Sequence, residues 1–142
     1  MTVLERPSYA VEEKNIALCR SIGRPRRVLD VGCGIGQNGA FARGRGAFVT
    51  GVEADPDARA AARRVLHEVL DADLEDEASV RSALGSRRFD LVLLGDVLEH
   101  LRDPGRALAH LLAFLDEEGH VVVSLPYVAA WAIPVDLALD PF

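Results

Sequence analysis

The sequence has only two cysteines in 142 residues and no excess of basic side chains. Cys19 and Cys33 lack the spacing of metal ligands and have no evident reason to pair with each other. The net charge of −6 argues against broad electrostatic binding to nucleic acid or to an anionic membrane, because both need a basic face. These shortages favour a small or neutral molecule as the binding partner.

A hydrophobic run long enough to span a membrane is also missing. The longest apolar stretch, residues 127–139, is too short and is interrupted by Pro134 and Asp136. The sequence shows no internal repeat, low-complexity segment or metal-ligand cluster. Because no signal peptide is recognised at the start, we expect a reduced, cytoplasmic protein.

Hydrophobic residues make up 49% of the chain, which is enough for a folded core. At this length we expect a single domain, residues 1–142. Its predicted parts are an N-terminal helical region at 1–25, a core at 26–125 and an apolar tail at 126–142.

A short apolar strand at residues 28–31 runs into glycines at alternate positions: Gly32, Gly34 and Gly36. This pattern predicts a buried strand that enters a tight turn before a helix. Glycine adopts positive φ without steric cost, and its missing Cβ lets a ligand approach the main chain. We therefore expect a ligand to contact the backbone of this turn.

Two carboxylates indicate the chemical class of the ligand expected at this turn. Glu53 follows a second apolar strand, residues 48–52, where it could accept hydrogen bonds from both hydroxyls of an adenosine ribose. Residues 34–39 match the dinucleotide pattern G-x-G-x-x-G, but Asp30 precedes the turn and would repel a pyrophosphate at short range. A nucleoside ligand that carries an ammonium group fits better.

Strands and helices alternate along the chain, which predicts a parallel sheet covered on both faces. The predicted strands are 28–31, 48–52, 68–75, 89–94 and 120–125, with the third at an outer position. The predicted helices are 8–22, 37–45, 55–66, 78–86 and 103–115; the third and fifth begin at Asp-Pro pairs, and Gly119 is predicted to form the turn before the fifth strand.

Residues 28–36, VLDVGCGIG, resemble the glycine-rich first motif of class I S-adenosylmethionine-dependent methyltransferases of the small-molecule type (type 11/12-like). The fourth strand, which begins Phe89-Asp90 and leads into Glu99-His100-Leu101, is similar to another motif of that family. The resemblance implies a three-layer α/β/α Rossmann-like sandwich, mostly parallel, with strand order 3-2-1-4-5. The family's last two strands have no counterpart, so the sheet is expected to be truncated at its C-terminal edge.

The resemblance also implies a cofactor, S-adenosyl-L-methionine, with S-adenosyl-L-homocysteine as its product. Asp30 and the glycine turn would hold the methionine part, Glu53 the ribose, and Asp73 with Leu74 the adenine. A competing interpretation of Asp73 is a solvated acidic loop. The implied cofactor-binding residues are Asp30, Gly32, Cys33, Gly34, Glu53, Ala54, Asp73, Leu74, Gly95 and Asp96.

The implied reaction is in-line displacement of the activated methyl group by a small-molecule acceptor. His100 and Asp96 are the candidates for a general base, although His100 could instead orient its loop through a backbone hydrogen bond. No metal is expected.

Two other functions stay open. One is a non-catalytic cofactor-binding module, or a truncated methyltransferase that needs a partner. The other, less favoured, is an NAD-dependent oxidoreductase. Without further strands the fifth strand would be an open edge. We expect the apolar tail to cover it, or a second copy or partner chain to pair through it.

Overall fold

A five-stranded parallel sheet organises the computed structural model, which describes residues 16–125. Its strands are β1 Arg27–Val31, β2 Phe48–Val52, β3 Glu68–Leu70, β4 Phe89–Gly95 and β5 Leu115–Ser124. Its helices are α1 Ile16–Ser21, α2 Gln37–Gly44, α3 Pro56–Ala62, α4 Glu77–Leu84 and α5 Pro104–Leu112, with a short 3₁₀ helix at Leu98–His100. The strand order β3-β2-β1-β4-β5 confirms the predicted topology.

The sheet is hydrophobic on both faces because its strands contain consecutive apolar residues, and side chains of successive strand residues point to opposite sides. Leu29 and Val31 of β1 belong to one buried cluster, whereas Val28 belongs to the other. β1 pairs with β2 on one side and β4 on the other. The chain order therefore reverses next to β1, and open α/β sheets bind ligands at the carboxyl ends of the strands at such a point.

Two predicted helix starts are confirmed by their caps. The Asp55 carboxylate accepts hydrogen bonds from the amides of Asp57 and Ala58, and Pro56 is the first residue of α3. The Asp103 carboxylate accepts a hydrogen bond from the amide of Arg106, with Pro104 first in α5. α3 ends at Ala62, earlier than the predicted Leu66.

The predicted boundary between the last helix and strand is wrong. α5 ends at Leu112, and Leu115 opens β5 instead of extending the helix. The reason is a sheet contact, since the Phe89 amide donates to the Phe114 carbonyl over 2.9 Å and draws this segment against β4. The strand is irregular: Phe89 pairs with Leu115 and Leu91 with His120, so residues 116–119, including the expected turn glycine, lie opposite Asp90 alone.

Several predictions concern segments outside residues 16–125. These are the first half of the N-terminal helix, the apolar tail at 126–142 and the covering of the β5 edge by that tail. No helix within the described range is long and apolar enough to cross a bilayer.

Gly39 and Gly44 form a matched pair for testing the packing of α2. A Cβ at Gly39 would lie 2.7 Å from both Asp30 Oδ2 and Leu66 Cδ2, whereas one at Gly44 meets no described atom within 4 Å. We expect Gly39→Ala to lower the free energy of unfolding by about 1 to 3 kcal/mol through overpacking. Gly44→Ala should leave it unchanged or raise it, because alanine favours helix. Urea unfolding measures both, and equal stability of the two variants would contradict the packing described.

Candidate functional site

The turn between β1 and α2 brings bare backbone to the carboxyl end of the sheet. Gly32 and Gly34 have φ of 60° and 54°, which L side chains rarely adopt. At Gly32 the fit is also tight, since a Cβ there would lie 2.7 Å from Val97 Cγ2. The two residues therefore need to be glycine for backbone conformation and, at Gly32, for close approach of the segment after β4.

The Glu53 carboxylate ties this turn to the end of β2. Its Oε2 accepts a hydrogen bond from the Gly34 amide over 2.8 Å, and its Oε1 accepts one from the Asp55 amide over 2.9 Å. Arg59 Nη1 donates to the carbonyls of Glu53 and Ala54. An ionised carboxylate offers about four lone-pair sites, so the fixed side chain of Glu53 can still accept hydrogen bonds from a ligand.

A cavity of about 170 Å³ opens beside Glu53. It is lined by Gly32, Val52, Glu53, Ala54, Ala72, Asp73, Leu74, Glu75 and Leu101. Five of these residues were predicted from the sequence: Gly32, Glu53, Ala54, Asp73 and Leu74. Pockets that enclose a drug-sized ligand usually measure about 300 to 1,000 Å³, so this cavity has room for part of a cofactor.

Asp73 belongs to an ordered loop that lines this cavity. Its Oδ1 accepts a hydrogen bond from the Glu75 amide over 2.9 Å, and its own amide donates to Ser79 Oγ over 3.0 Å. The neighbouring Leu74 packs against the buried cluster on one face of the sheet. Asp73, Leu74 and Glu75 of this loop line the cavity, while Asp73 and Glu75 are also exposed to solvent.

Asp30 lies beneath the turn, not on the cavity wall. Its side chain is 2% exposed, and its Oδ2 accepts a hydrogen bond from the Gly39 amide of α2 over 2.9 Å. Burial raises the pKa of Asp30 to about 7; the Gly39 hydrogen bond opposes this rise, and the negative charge of Glu53 adds to it. In this position Asp30 connects the strand, the turn and the first turn of α2.

Cys33 is packed into the core at the same place. It is buried, its thiol donates to the Gly34 carbonyl over 3.7 Å, and a Cβ at Gly51 would lie 2.7 Å from its Sγ. Burial, with the nearby charges of Asp30 and Glu53, raises the pKa of the Cys33 thiol far above its usual range. The side chain is therefore a neutral packing group, and a ligand contact at Cys33 would involve its backbone.

Gly95 and Asp96, also predicted to bind the cofactor, lie at the end of β4 and directly after it. A Cβ at Gly95 would lie 2.7 Å from Asn38 Nδ2, so a side chain there would have to displace the Asn38 amide of α2. Asp96 has a φ of 54°, and its Oδ1 accepts a hydrogen bond from Ser124 Oγ over 3.2 Å. His100, on the 3₁₀ helix, has a side chain that is 77% exposed, with Nε2 3.8 Å from Glu99 Oε1. Neither Asp96 nor His100 lines the cavity described above.

Four wall residues were missed as site residues by sequence reasoning: Val52, Ala72, Glu75 and Leu101. Leu101 belongs to the Glu-His-Leu segment on which the resemblance rests, so that motif could have identified it as a site residue. Nothing in the local sequence around Glu75 indicates that it faces a pocket. Within residues 16–125, no group of three or more metal-ligating side chains occurs.

The family model for a methyltransferase domain matches residues 6–138. The chain belongs to this family. The resemblance drawn from the glycine turn and the fourth-strand motif is thereby confirmed, and so is the Rossmann-like fold.

Known methyltransferases resemble parts of this chain. A ubiquinone biosynthesis O-methyltransferase of Alkalilimnicola ehrlichii is 34% identical over 116 residues, covering 77% of this chain and 45% of the relative. A TehB-like S-adenosylmethionine-dependent methyltransferase structure from Corynebacterium glutamicum is 28% identical with a TM-score of 0.60, covering 74% of this chain and 58% of that one. The plantazolicin methyltransferase BpumL, solved with S-adenosylhomocysteine, is 22% identical with a TM-score of 0.57, covering 68% and 37%. The chain thus spans about half the length of the curated relatives it matches.

The buried carboxyl of Asp30 should make stability depend on pH. Because its pKa is raised in the folded state from about 3.9 in model peptides, folding disfavours the ionised form. The contribution of Asp30 is most favourable below about pH 4 and is lost as the pH rises towards 7. Asp30→Asn keeps an acceptor for the Gly39 amide and removes the titration.

We therefore expect Asp30→Asn to gain stability relative to the wild type between pH 4 and pH 8, measured by urea unfolding across that range. Asp116→Asn removes a charge from an exposed site and is the matched control. A stability difference for Asp30→Asn that is constant with pH would contradict the described burial.

Proposed function

We propose that this chain binds S-adenosylmethionine in a methyltransferase that transfers the methyl group to a small-molecule acceptor. The observation that carries the proposal is the fixed carboxylate of Glu53, which joins the glycine turn to β2 and borders the cavity. A carboxylate at the end of the second strand suits the two hydroxyls of a ribose.

The remaining groups of the cofactor have matching residues nearby. Asp73 accepts the adenine amino group through its carboxylate, and Leu74 and Leu101 contact the ring. The backbone of Gly32 and Gly34 lies along the amino-acid part. Asp30 acts indirectly, since its hydrogen bond to the Gly39 amide positions the turn on which the cofactor lies.

When bound, this cofactor supplies a methyl group already activated by a positively charged sulfur. The protein's contribution is to align the acceptor with that methyl group and to exclude water. The names of the curated relatives, O-methyltransferases, support an oxygen acceptor. A hydroxyl acceptor must lose its proton, and Asp96, at the end of β4, is the better-placed base because His100 projects into solvent.

A module that binds the cofactor without turnover is the alternative. Such a module would have the same cofactor pocket as the methyltransferase but would not bind a methyl acceptor. The two functions therefore predict the same cofactor binding and opposite results in an acceptor screen.

Calorimetric titration with S-adenosylmethionine, S-adenosylhomocysteine and NADH tests the cofactor. We expect binding of the first two and none of NADH, the cofactor of the oxidoreductase alternative. A screen of small hydroxylated acceptors with labelled S-adenosylmethionine then distinguishes the enzyme from the binding module. Binding of NADH in preference to S-adenosylhomocysteine would contradict the proposal.

Glu53→Ala tests the ribose contact. The variant loses the acceptor oxygens for the ribose and the bond to the Gly34 amide, and hydrogen bonds to charged groups contribute about 1.5 to 3 kcal/mol each. We expect the Kd for S-adenosylhomocysteine to rise at least about tenfold, with a smaller rise in Glu53→Gln, which keeps one acceptor oxygen. Unchanged affinity in Glu53→Ala, in a protein that melts like the wild type, would refute the ribose assignment.

A further inference from the structure

The segment 96–102 lies across the carboxyl end of the sheet and is held at several points. At its start, the Asp96 amide donates to the Ser124 carbonyl over 3.1 Å. Next, Val97 packs closely on Gly32: a Cβ added at Gly32 would lie 2.7 Å from Val97 Cγ2. These contacts fix the segment to β5 and to the glycine turn.

Its far end is held by Glu75 from the loop between β3 and α4. Glu75 Oε1 accepts a hydrogen bond from the Arg102 amide over 2.6 Å, across 27 residues of sequence. The ion pair between the two side chains is much looser, because Glu75 Oε2 lies 4.0 Å from Arg102 Nε and the Arg102 side chain is 94% exposed. The backbone hydrogen bond is therefore the stronger connection.

The backbone of Glu75 is held by its own loop, while its side chain contacts Arg102. The Glu75 amide donates to Asp73 Oδ1, so the loop that carries the proposed adenine acceptor also presents the Glu75 carboxylate. Glu75 and Leu101 both line the cavity, but they belong to different loops. Leu74 and Leu101 both pack against the same buried cluster. The hydrogen bond from Arg102 thus joins the two sides of the pocket.

We propose that Glu75 is a positioning residue that closes the adenine side of the cofactor pocket by accepting the Arg102 amide. The inference rests on the proposed function, because it assigns the cavity to the adenosine of S-adenosylmethionine. With the bond formed, Leu101 is held opposite Leu74. With the bond absent, segment 96–102 stays attached at Ser124 and Gly32 and Leu101 keeps its packing on the buried cluster, but the link from this segment to the loop after β3 is lost and Leu101 is held less firmly. Bound cofactor then leaves faster, so the effect appears mainly in the dissociation rate.

The test compares Glu75→Ala, Glu75→Gln and the wild type by titration and stopped-flow dissociation of S-adenosylhomocysteine. Glu118→Ala is the matched control, because it removes the same charge from an exposed site in the irregular part of β5, at the other end of the sheet. Thermal unfolding without ligand reports whether each variant folds.

We expect Glu75→Ala to raise the Kd by about tenfold, the usual scale for a lost hydrogen bond to a charged group, mainly through faster dissociation. Glu75→Gln keeps an acceptor oxygen and should stay within about threefold of the wild type, whereas a merely charged role would make it as weak as Glu75→Ala. In the wild type, hydrogen exchange at the Arg102 amide should slow when S-adenosylhomocysteine binds.

Affinity of Glu75→Ala within twofold of the wild type would overturn the inference, as would equal weakening by Glu75→Gln. If Glu75→Ala does not fold, unchanged exchange at the Arg102 amide on ligand binding would overturn it. Failure of the wild type itself to bind S-adenosylhomocysteine would instead contradict the proposed function, and this inference with it.

Discussion

The hydrogen bond between the Glu53 carboxylate and the Gly34 amide is the contact on which the site depends. It joins the turn after β1 to the end of β2, and the order of the strands reverses on the other side of β1, between β1 and β4. Without it, the glycine turn would have one fewer anchor, and the carboxylate would keep the hydrogen bond from the Asp55 amide but lose its link to the turn. Preorganisation of this kind lowers the entropic cost of binding, because the acceptor is already oriented before a ligand arrives.

The same contact has an electrostatic cost. The charge of Glu53 adds to burial in raising the pKa of Asp30, and both acids raise that of the Cys33 thiol. A cofactor with a positive sulfur and an ammonium group would relieve part of this concentration of negative charge. The acidic environment therefore fits the proposed ligand better than it fits a dinucleotide with its pyrophosphate.

The alternation of strands and helices could be predicted from local patterns, whereas the sheet order and the adenine side of the cavity wall came from the family resemblance. Alternating apolar segments, Asp-Pro helix starts and the glycines after β1 each act within a few residues of chain. Glu53 and Asp73 were found because they follow strands, and the carboxyl ends of parallel strands share one edge. Leu74 was named from the resemblance.

What was missed depends on contacts between distant segments. Nothing local shows that Glu75 reaches the Arg102 amide, or that a sheet contact from Phe89 draws Leu115 into β5. The orientation of the Asp30 side chain is a similar case, because a strand residue can face either a helix or the ligand crevice. The contact with Gly39 in the folded chain shows that Asp30 faces α2. Such pairings need the folded chain.

The most direct measurement is an amide-resolved NMR titration of the chain with S-adenosylhomocysteine. We expect the amide resonances of Gly32, Gly34, Glu53 and Asp73 to shift together with one affinity, while that of Gly119, at the opposite end of the sheet, stays in place. No shifts, or shifts confined to residues away from the glycine turn and the cavity, would contradict the proposed site.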